Sequence, residues 1–337
     1  MPRSIRIALI VLTVAAIVLV AAIVYGGPRT LSPLEVPDPF GAVEFSDLPK
    51  PAHFMARDGT QLAYRVYGAG SSGSKGSVVL IHGVTSRGDL LHPLAKGFAD
   101  AGYVAYALDI RGHGESGPKG KIGYIGQLED DLEDFMKNAR PTGRKSLVGF
   151  SGGGGFALRF AADARRTLFD NYLLLAPFLS QQASTYRPAG GGRASIGMPR
   201  IVALAMLNIV GITSLNDLTA FKFAVRPASR ERLTPQYSYA LARNFTPHLN
   251  YKNDIALASQ PMEVLVGETD EQFYPKQFSA EFDVAGRKVP VSIVLGVRSH
   301  IELTLVPVAI QAAVAAVGRL DQGFNHSYMD SPSTARN

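Results

Sequence analysis

Apolar residues recur along this chain in short runs separated by longer amphipathic stretches. Runs suited to buried strands fall at about 78–82, 103–108, 146–150, 171–176, 262–267 and 291–297. Helical patterns lie between them, from Leu90 to Ala101 and from Gly123 to Ala139. The acids of the second, Glu129, Asp130, Asp131, Glu133 and Asp134, are expected on a wet face. Short continuous apolar runs alternating with amphipathic helices predict a mostly parallel sheet with helices on both faces. Asp58-Gly59 is a hairpin signal that places an edge strand before the strand Gln61 to Tyr67. An apolar helix from about Ile301 to Leu320 closes the pattern, and the polar tail over 321–337 is expected to be disordered. With 337 residues, 46% of them apolar, there is material for one large domain.

The first residues form a separate unit. Ile7 through Tyr25 is nineteen residues without a charge, enough to span about 30 Å of hydrocarbon. A secretory signal peptide is the rival reading, but its apolar region is typically about 7–15 residues and ends at a small-x-small site. Ala21-Ala22-Ile23-Val24-Tyr25 offers no such site, so an uncleaved anchor is expected over 1–27. Arg3 and Arg6 precede the run and Arg29 follows it, which orients the N-terminus to the cytoplasm and the domain outside it. Pro28, Pro33, Pro37 and Pro39 make 28–45 an extended spacer. The main domain then runs over 46–320. The chain has no cysteine, so nothing about redox compartment follows.

Charge changes the picture in one place. The formal net charge is +6, and residues 180–260 hold nine Lys and Arg (Arg187, Arg193, Arg200, Lys222, Arg226, Arg230, Arg232, Arg243, Lys252) against Asp217, Glu231 and Asp254. Residues 1–30 add three arginines and no acid, so the remainder is net negative. No recognition motif or aromatic–basic interleaving accompanies these cations, and a nucleic-acid partner is not expected. Residues 180–260 are too long for a plain loop and are expected to form a cap. Its apolar stretch Ile201 to Ile212 is either a helix packed on the sheet domain or a face that lines an acyl channel or touches the bilayer. The cap cations would suit anionic headgroups or an anionic substrate.

The chemistry concentrates at Ser146-Leu147-Val148-Gly149-Phe150-Ser151-Gly152-Gly153-Gly154-Gly155. This reads as a strand, a serine between glycines on a sharp turn, and a helix. A serine hydroxyl is a poor nucleophile unless a base takes its proton and an acid orients the base. After Ser151, the run Met262 to Gly267 is followed by Glu268-Thr269-Asp270-Glu271, and the run Val291 to Gly296 by Val297-Arg298-Ser299-His300. Asp270 is preferred to Glu268, which belongs to the strand end, and to Glu271. His300 alone among seven histidines combines a strand end with a place that completes the chain order Ser, Asp/Glu, His. His53 falls in a hairpin, His326 in the tail, and His92 and His248 on a helix or loop surface. His82 is expected to brace the loop after its strand, and His113 to stitch the loop Arg111-Gly112-His113-Gly114. Backbone N–H groups of Val84 and Gly152 are the expected donors to a developing oxyanion.

Taken together, Ile81-His82-Gly83-Val84, Leu108-Asp109-Ile110-Arg111-Gly112-His113-Gly114-Glu115-Ser116, Gly149-Phe150-Ser151-Gly152-Gly153, Gly267-Glu268-Thr269-Asp270-Glu271 and Ser299-His300 resemble the α/β-hydrolase superfamily. The branch they resemble contains monoacylglycerol lipases, lysophospholipases and related esterases and peptidases. The resemblance runs from about residue 50 to 320. It implies the α/β-hydrolase fold, with Ser151 as nucleophile, Asp270 as orienter and His300 as base. Val84 stands where many relatives carry an aromatic or small polar residue, and four consecutive glycines follow Ser151.

A membrane-anchored serine esterase acting on a lipid-like acyl ester, such as a monoacylglycerol or lysophospholipid, is the leading expectation. A peptidase or amidase with the same three groups, and a non-catalytic anchored binding protein, remain open beside it. No cofactor is expected, since histidines and acids lack metal-ligand spacing and no Lys-Ser/Thr pair follows the glycines.

Overall fold

The computed structural model describes residues 2–33, 38–68, 73–187, 193–229, 231–284 and 286–329. The expected strands all form. They are β1 (Ala52–Met55), β2 (Gln61–Tyr67), β3 (Ser77–Ile81), β4 (Val104–Leu108), β5 (Lys145–Phe150) and β6 (Asn171–Leu175). A separate three-stranded sheet follows within 180–260, the segment expected to form a cap, with β7 (Ala194–Ile196), β8 (Thr219–Phe223) and β9 (Gln236–Ser238). Then come β10 (Met262–Gly267), the small pair β11 (Asp283–Val284) and β12 (Arg287–Lys288), and β13 (Val291–Val294).

The main sheet has the order β1-β2-β4-β3-β5-β6-β10-β13. Its first two pairings are antiparallel and the others parallel. Every residue of β3, β6 and β10 is buried. That is why their segments 78–81, 172–175 and 264–266 read as continuous apolar runs instead of alternating ones.

Helices α1 (Arg3–Tyr25), α2 (His92–Asp100), α3 (Gln127–Ala139), α4 (Gly152–Ala161), α5 (Met198–Ile209), α6 (Tyr239–Asn244), α7 (Tyr251–Leu257), α8 (Phe278–Glu281) and α9 (Pro307–Met329) complete the chain. α4 packs on β5 and β6, and α2 and α9 pack against each other. α9 continues to Met329, past the boundary at Leu320 and into the stretch expected to be disordered. The remaining tail, 330–337, lies outside the described residues, as does Pro37 of the spacer.

The acids of α3 do not share a wet face. Glu129, Asp131 and Asp134 are buried, because three arginines remote in sequence turn towards them. Arg57 of the β1–β2 turn holds Asp134, Arg111 of the loop after β4 holds Asp131 through two bonds of 2.7 Å, and Arg159 of α4 holds Glu129. Removing one partner strands a buried charge, whereas exposed pairs contribute little. Arg111→Met should therefore lower unfolding free energy by about 3–5 kcal/mol in urea denaturation. Lys137→Met, in the exposed i,i+4 pair with Glu133, should change it by less than about 1 kcal/mol. His92, expected on the surface, is likewise buried, with Nδ1 3.2 Å from the Tyr67 hydroxyl and Nε2 3.0 Å from Asp47.

α1 is the one helix among the described residues long and apolar enough to cross a membrane, and none of its residues is buried. Its 23 residues rise about 35 Å. The cap helix α5 buries only Ala203 and Leu204, the latter against Ala220 of β8 and Tyr239. It packs chiefly on this small cap core and on α1. Arg200 makes the joint. Its guanidinium donates to the carbonyls of Ile23 (2.8 Å), Val24 (3.0 Å) and Thr219 (2.7 Å). Ile23 and Val24 lie in the last turn of α1, where carbonyls have no partner within the helix.

Several other cap cations are also engaged within the protein. Arg226 pairs with Asp38 at 2.7 Å, Lys222 donates to Thr30, and Arg243 is half-buried beside Tyr239. Arg230 lies outside the described residues.

Candidate active site

Ser151 occupies the turn between β5 and α4 with φ 55° and ψ −117°. This conformation is rare for a residue with a Cβ. Surrounding bonds hold it: Ser151 N–H donates to Leu175 O at 2.9 Å, and its carbonyl accepts from Gly155 at 3.0 Å and Phe178 at 2.9 Å. The glycines around it are required by close backbone approach. A Cβ on Gly153 would lie 2.3 Å from His82 O, and one on Gly149 2.2 Å from Gly153 O. The four consecutive glycines thus let α4 start directly against β3 and β5.

Ser151 faces the loop that leaves β3. A Cβ on Gly83 would lie 3.2 Å from Ser151 Cβ, and one on Gly152 would lie 3.4 Å from Val84 N. The backbones expected to supply two N–H donors are therefore neighbours beside the serine. His82 braces this loop as expected, with Nδ1 2.8 Å from Gly83 O while Nε2 accepts the Ile110 N–H at 3.2 Å. Buried Asp109 accepts N–H bonds from Gly88 and Glu115, and so ties the Asp-Ile-Arg-Gly-His-Gly loop to the segment that opens α2.

The remaining two residues lie after β10 and β13. Asp270 Oδ2 is 2.7 Å from His300 Nδ1, and Oδ1 accepts from the amides of Gln272 (2.8 Å) and Phe273 (3.0 Å). Asp270 is 1% exposed and His300 4%. Burial alone would push the Asp270 carboxyl up, but the adjacent imidazole and these amides outweigh it and hold the group below its ordinary value. The three acids of this loop separate by partner. Glu268 accepts the Gly296 N–H, Glu271 accepts the backbone N–H of His300 at 2.6 Å, and Asp270 takes the imidazole.

The His300 ring lies between Phe150, at 4.6 Å between ring centroids, and Phe273 at 5.2 Å. Phe150 directly precedes Ser151. His300 Nε2 is buried and has no hydrogen-bond partner among the described residues. Ser151, Val84, Asp270 and His300 thus all lie at C-terminal ends of parallel strands, where ligand crevices form in open α/β sheets.

Residues the sequence pattern did not single out also shape the site. Arg187, counted among the cap cations, donates to Asp270 O and Phe273 O and lies over the Tyr274 ring. Tyr237 of β9 meets His113 and the loop after β3. Neither carries a local signal, because each acts through partners far away along the chain.

Comparison with known proteins agrees with this architecture. The family model described as serine aminopeptidase, S33 matches residues 72–287. A monoacylglycerol lipase of Mycolicibacterium smegmatis is 35% identical over 115 residues, covering 32% of this chain and 40% of that enzyme. The alignment therefore spans less than half of that relative. Among solved structures, a soluble variant of monoglyceride lipase from Saccharomyces cerevisiae superposes with a TM-score of 0.60 at 18% identity, over 85% of this chain and 99% of that one. The monoacylglycerol lipase of Paleococcus ferrophilus superposes with a TM-score of 0.55 at 18% identity, over 77% and 98%. With the fold and the family match in agreement, the chain belongs to the serine aminopeptidase S33 family of the α/β-hydrolase superfamily.

Proposed function

We propose that this protein is a membrane-anchored serine hydrolase that cleaves carboxylic esters of lipid-like acyl groups, such as a monoacylglycerol or lysophospholipid. The observation that carries the reading is the buried Asp270–His300 pair, whose Nε2 is left unpartnered beside the strained Ser151 turn. Ser151 Oγ attacks the acyl carbonyl while His300 Nε2 takes its proton. Asp270 holds the imidazole with Nδ1 protonated and stabilises the imidazolium. The N–H groups of Val84 and Gly152 receive the negative oxygen of the tetrahedral intermediate. His300 then protonates the leaving alcohol, and in the second half-reaction it activates water to release the fatty acid.

A lipid substrate is supported by the apolar surface beside the cap. Met198, Val202, Met206 and Ile209 stay exposed on α5 at helical spacing, next to α1, none of whose residues is buried. With α1 across a bilayer and the domain on its extracytoplasmic side, this stripe would lie at the membrane surface.

A fluorophosphonate probe applied to wild type, Ser151→Ala and His300→Ala tests the reading, with p-nitrophenyl esters of increasing chain length and aminoacyl p-nitroanilides assayed in parallel. Labelling should vanish in both variants, and ester turnover should rise with chain length. Faster anilide than ester turnover would replace the esterase by an aminopeptidase. A folded wild type that neither labels nor hydrolyses any substrate would leave a binding protein.

A further inference from the structure

The residue after Val84 is held in an unusual way. Thr85 is β-branched yet has φ 62°, a left-handed conformation that such residues rarely adopt. Both of its backbone groups are bonded to the cap: its N–H donates to the Tyr237 hydroxyl at 2.7 Å, and its carbonyl accepts from Thr234 N–H at 2.9 Å. The Thr234 hydroxyl in turn donates to Gly112 O at 3.1 Å. Tyr237 and Thr234 are both buried.

The direction of every bond around Tyr237 is determined. His113 Nδ1 lies 3.2 Å from Ile110 O and 3.3 Å from Arg111 O, which only accept, so Nδ1 carries the proton. Burial and the neighbouring His82 ring keep this imidazole neutral by pushing its pKa well below the ordinary histidine value. Nε2 is then an acceptor and takes the phenolic proton of Tyr237 at 2.6 Å. The phenol oxygen keeps a lone pair for Thr85 N–H.

Two successive peptide planes are thereby pinned. The Gly83–Val84 plane, whose N–H is that of Val84, is fixed at its carbonyl by His82 Nδ1. The Val84–Thr85 plane is fixed at its N–H by Tyr237. Together they fix the φ and ψ of Val84, so the plane that carries its N–H cannot turn without straining one of these bonds.

We propose that Tyr237, carried by the cap, is a positioning residue that aims the Val84 N–H at the substrate oxyanion, so that the oxyanion site is complete only when the cap is seated. This rests on the proposed hydrolase reading. It makes the cap part of the catalytic geometry as well as a cover.

The test is Tyr237→Phe, which keeps the ring and removes the hydroxyl. An oxyanion donor typically contributes about a hundred- to a thousandfold in kcat, and a misaimed one should lose part of that. kcat on a p-nitrophenyl ester should fall by about ten- to a hundredfold with KM within about threefold of wild type, and fluorophosphonate labelling should slow in parallel. A thionoester, whose sulfur accepts hydrogen bonds weakly, should be hydrolysed at nearly the wild-type rate. That selectivity separates aim from general damage. Tyr239→Phe, in the small cap core, serves as the control for stability and should leave kcat on both substrates alone.

Equal loss on ester and thionoester, or an unchanged ester kcat, would overturn the proposal while wild-type turnover leaves the hydrolase reading standing. If Tyr237→Phe melts below assay temperature, Thr234→Val, which breaks only the bond to Gly112, should show the same selectivity in weaker form. Its absence there would be equally fatal. Wild type without any turnover would instead remove the reading beneath the proposal.

Discussion

Ser151→Ala is expected to lower ester turnover by about ten thousand- to a millionfold while leaving the melting temperature within a few degrees of wild type. The loss is large because removing the proposed nucleophile leaves only binding and the proposed N–H donors of Val84 and Gly152. The fold should tolerate the change, since the hydroxyl makes no hydrogen bond among the described residues and the strained backbone is held by Leu175, Gly155 and Phe178 through main-chain atoms alone. The same experiment carries a non-additivity test. His300→Ala should cost nearly as much as Ser151→Ala, and the double variant should be no worse than either, because the two residues serve one step. Additive losses in kcat would mean that His300 acts elsewhere.

Asp270→Asn is the second large effect, at about ten thousandfold in kcat with little change in KM. Asp270 accepts two backbone amides through Oδ1 and the imidazole through Oδ2. An asparagine that keeps its oxygen towards the amides must present NH2 to His300 Nδ1. The ring then has to carry its proton on Nε2, where it can no longer accept one from Ser151. The substitution also changes stability against pH. The Asp270 carboxyl is held below its unfolded value, so its contribution is fully present above about pH 4 and is lost as pH falls through the depressed folded value. Wild-type stability should therefore decline more steeply than that of Asp270→Asn in that acidic window, as monitored by thermal melts. Parallel curves would mean that the His300 pair and the two amides do not stabilise the carboxylate.

Much of the site was readable because its demands are local. A glycine at 153 is dictated by carbonyls 2.3–2.5 Å from where a side chain would start, and such contacts leave their mark within a few positions of the serine. Strand-end residues are similarly visible, since an apolar run that stops marks its own mouth. The burial of the α3 acids is hidden for the opposite reason. A run of five acids looks solvated until Arg57, Arg111 and Arg159 converge on it from separate elements. Tyr237 left no trace in the sequence, as its partner His113 lies 124 residues away. The apolar character of α5 is visible in its sequence, but its seat on α1 is not, because that contact joins residues more than 170 positions apart.

The clasp of Arg200 on the last turn of α1 has a kinetic consequence. With α1 across a bilayer, as proposed, a cap fastened to it could not tumble freely above the lipid, and its stripe of Met198, Val202 and Met206 would keep a constant height and tilt. Substrate would then be met by lateral diffusion in two dimensions, and turnover would follow the mole fraction of ester in the bilayer, falling on dilution with inert lipid at constant bulk concentration.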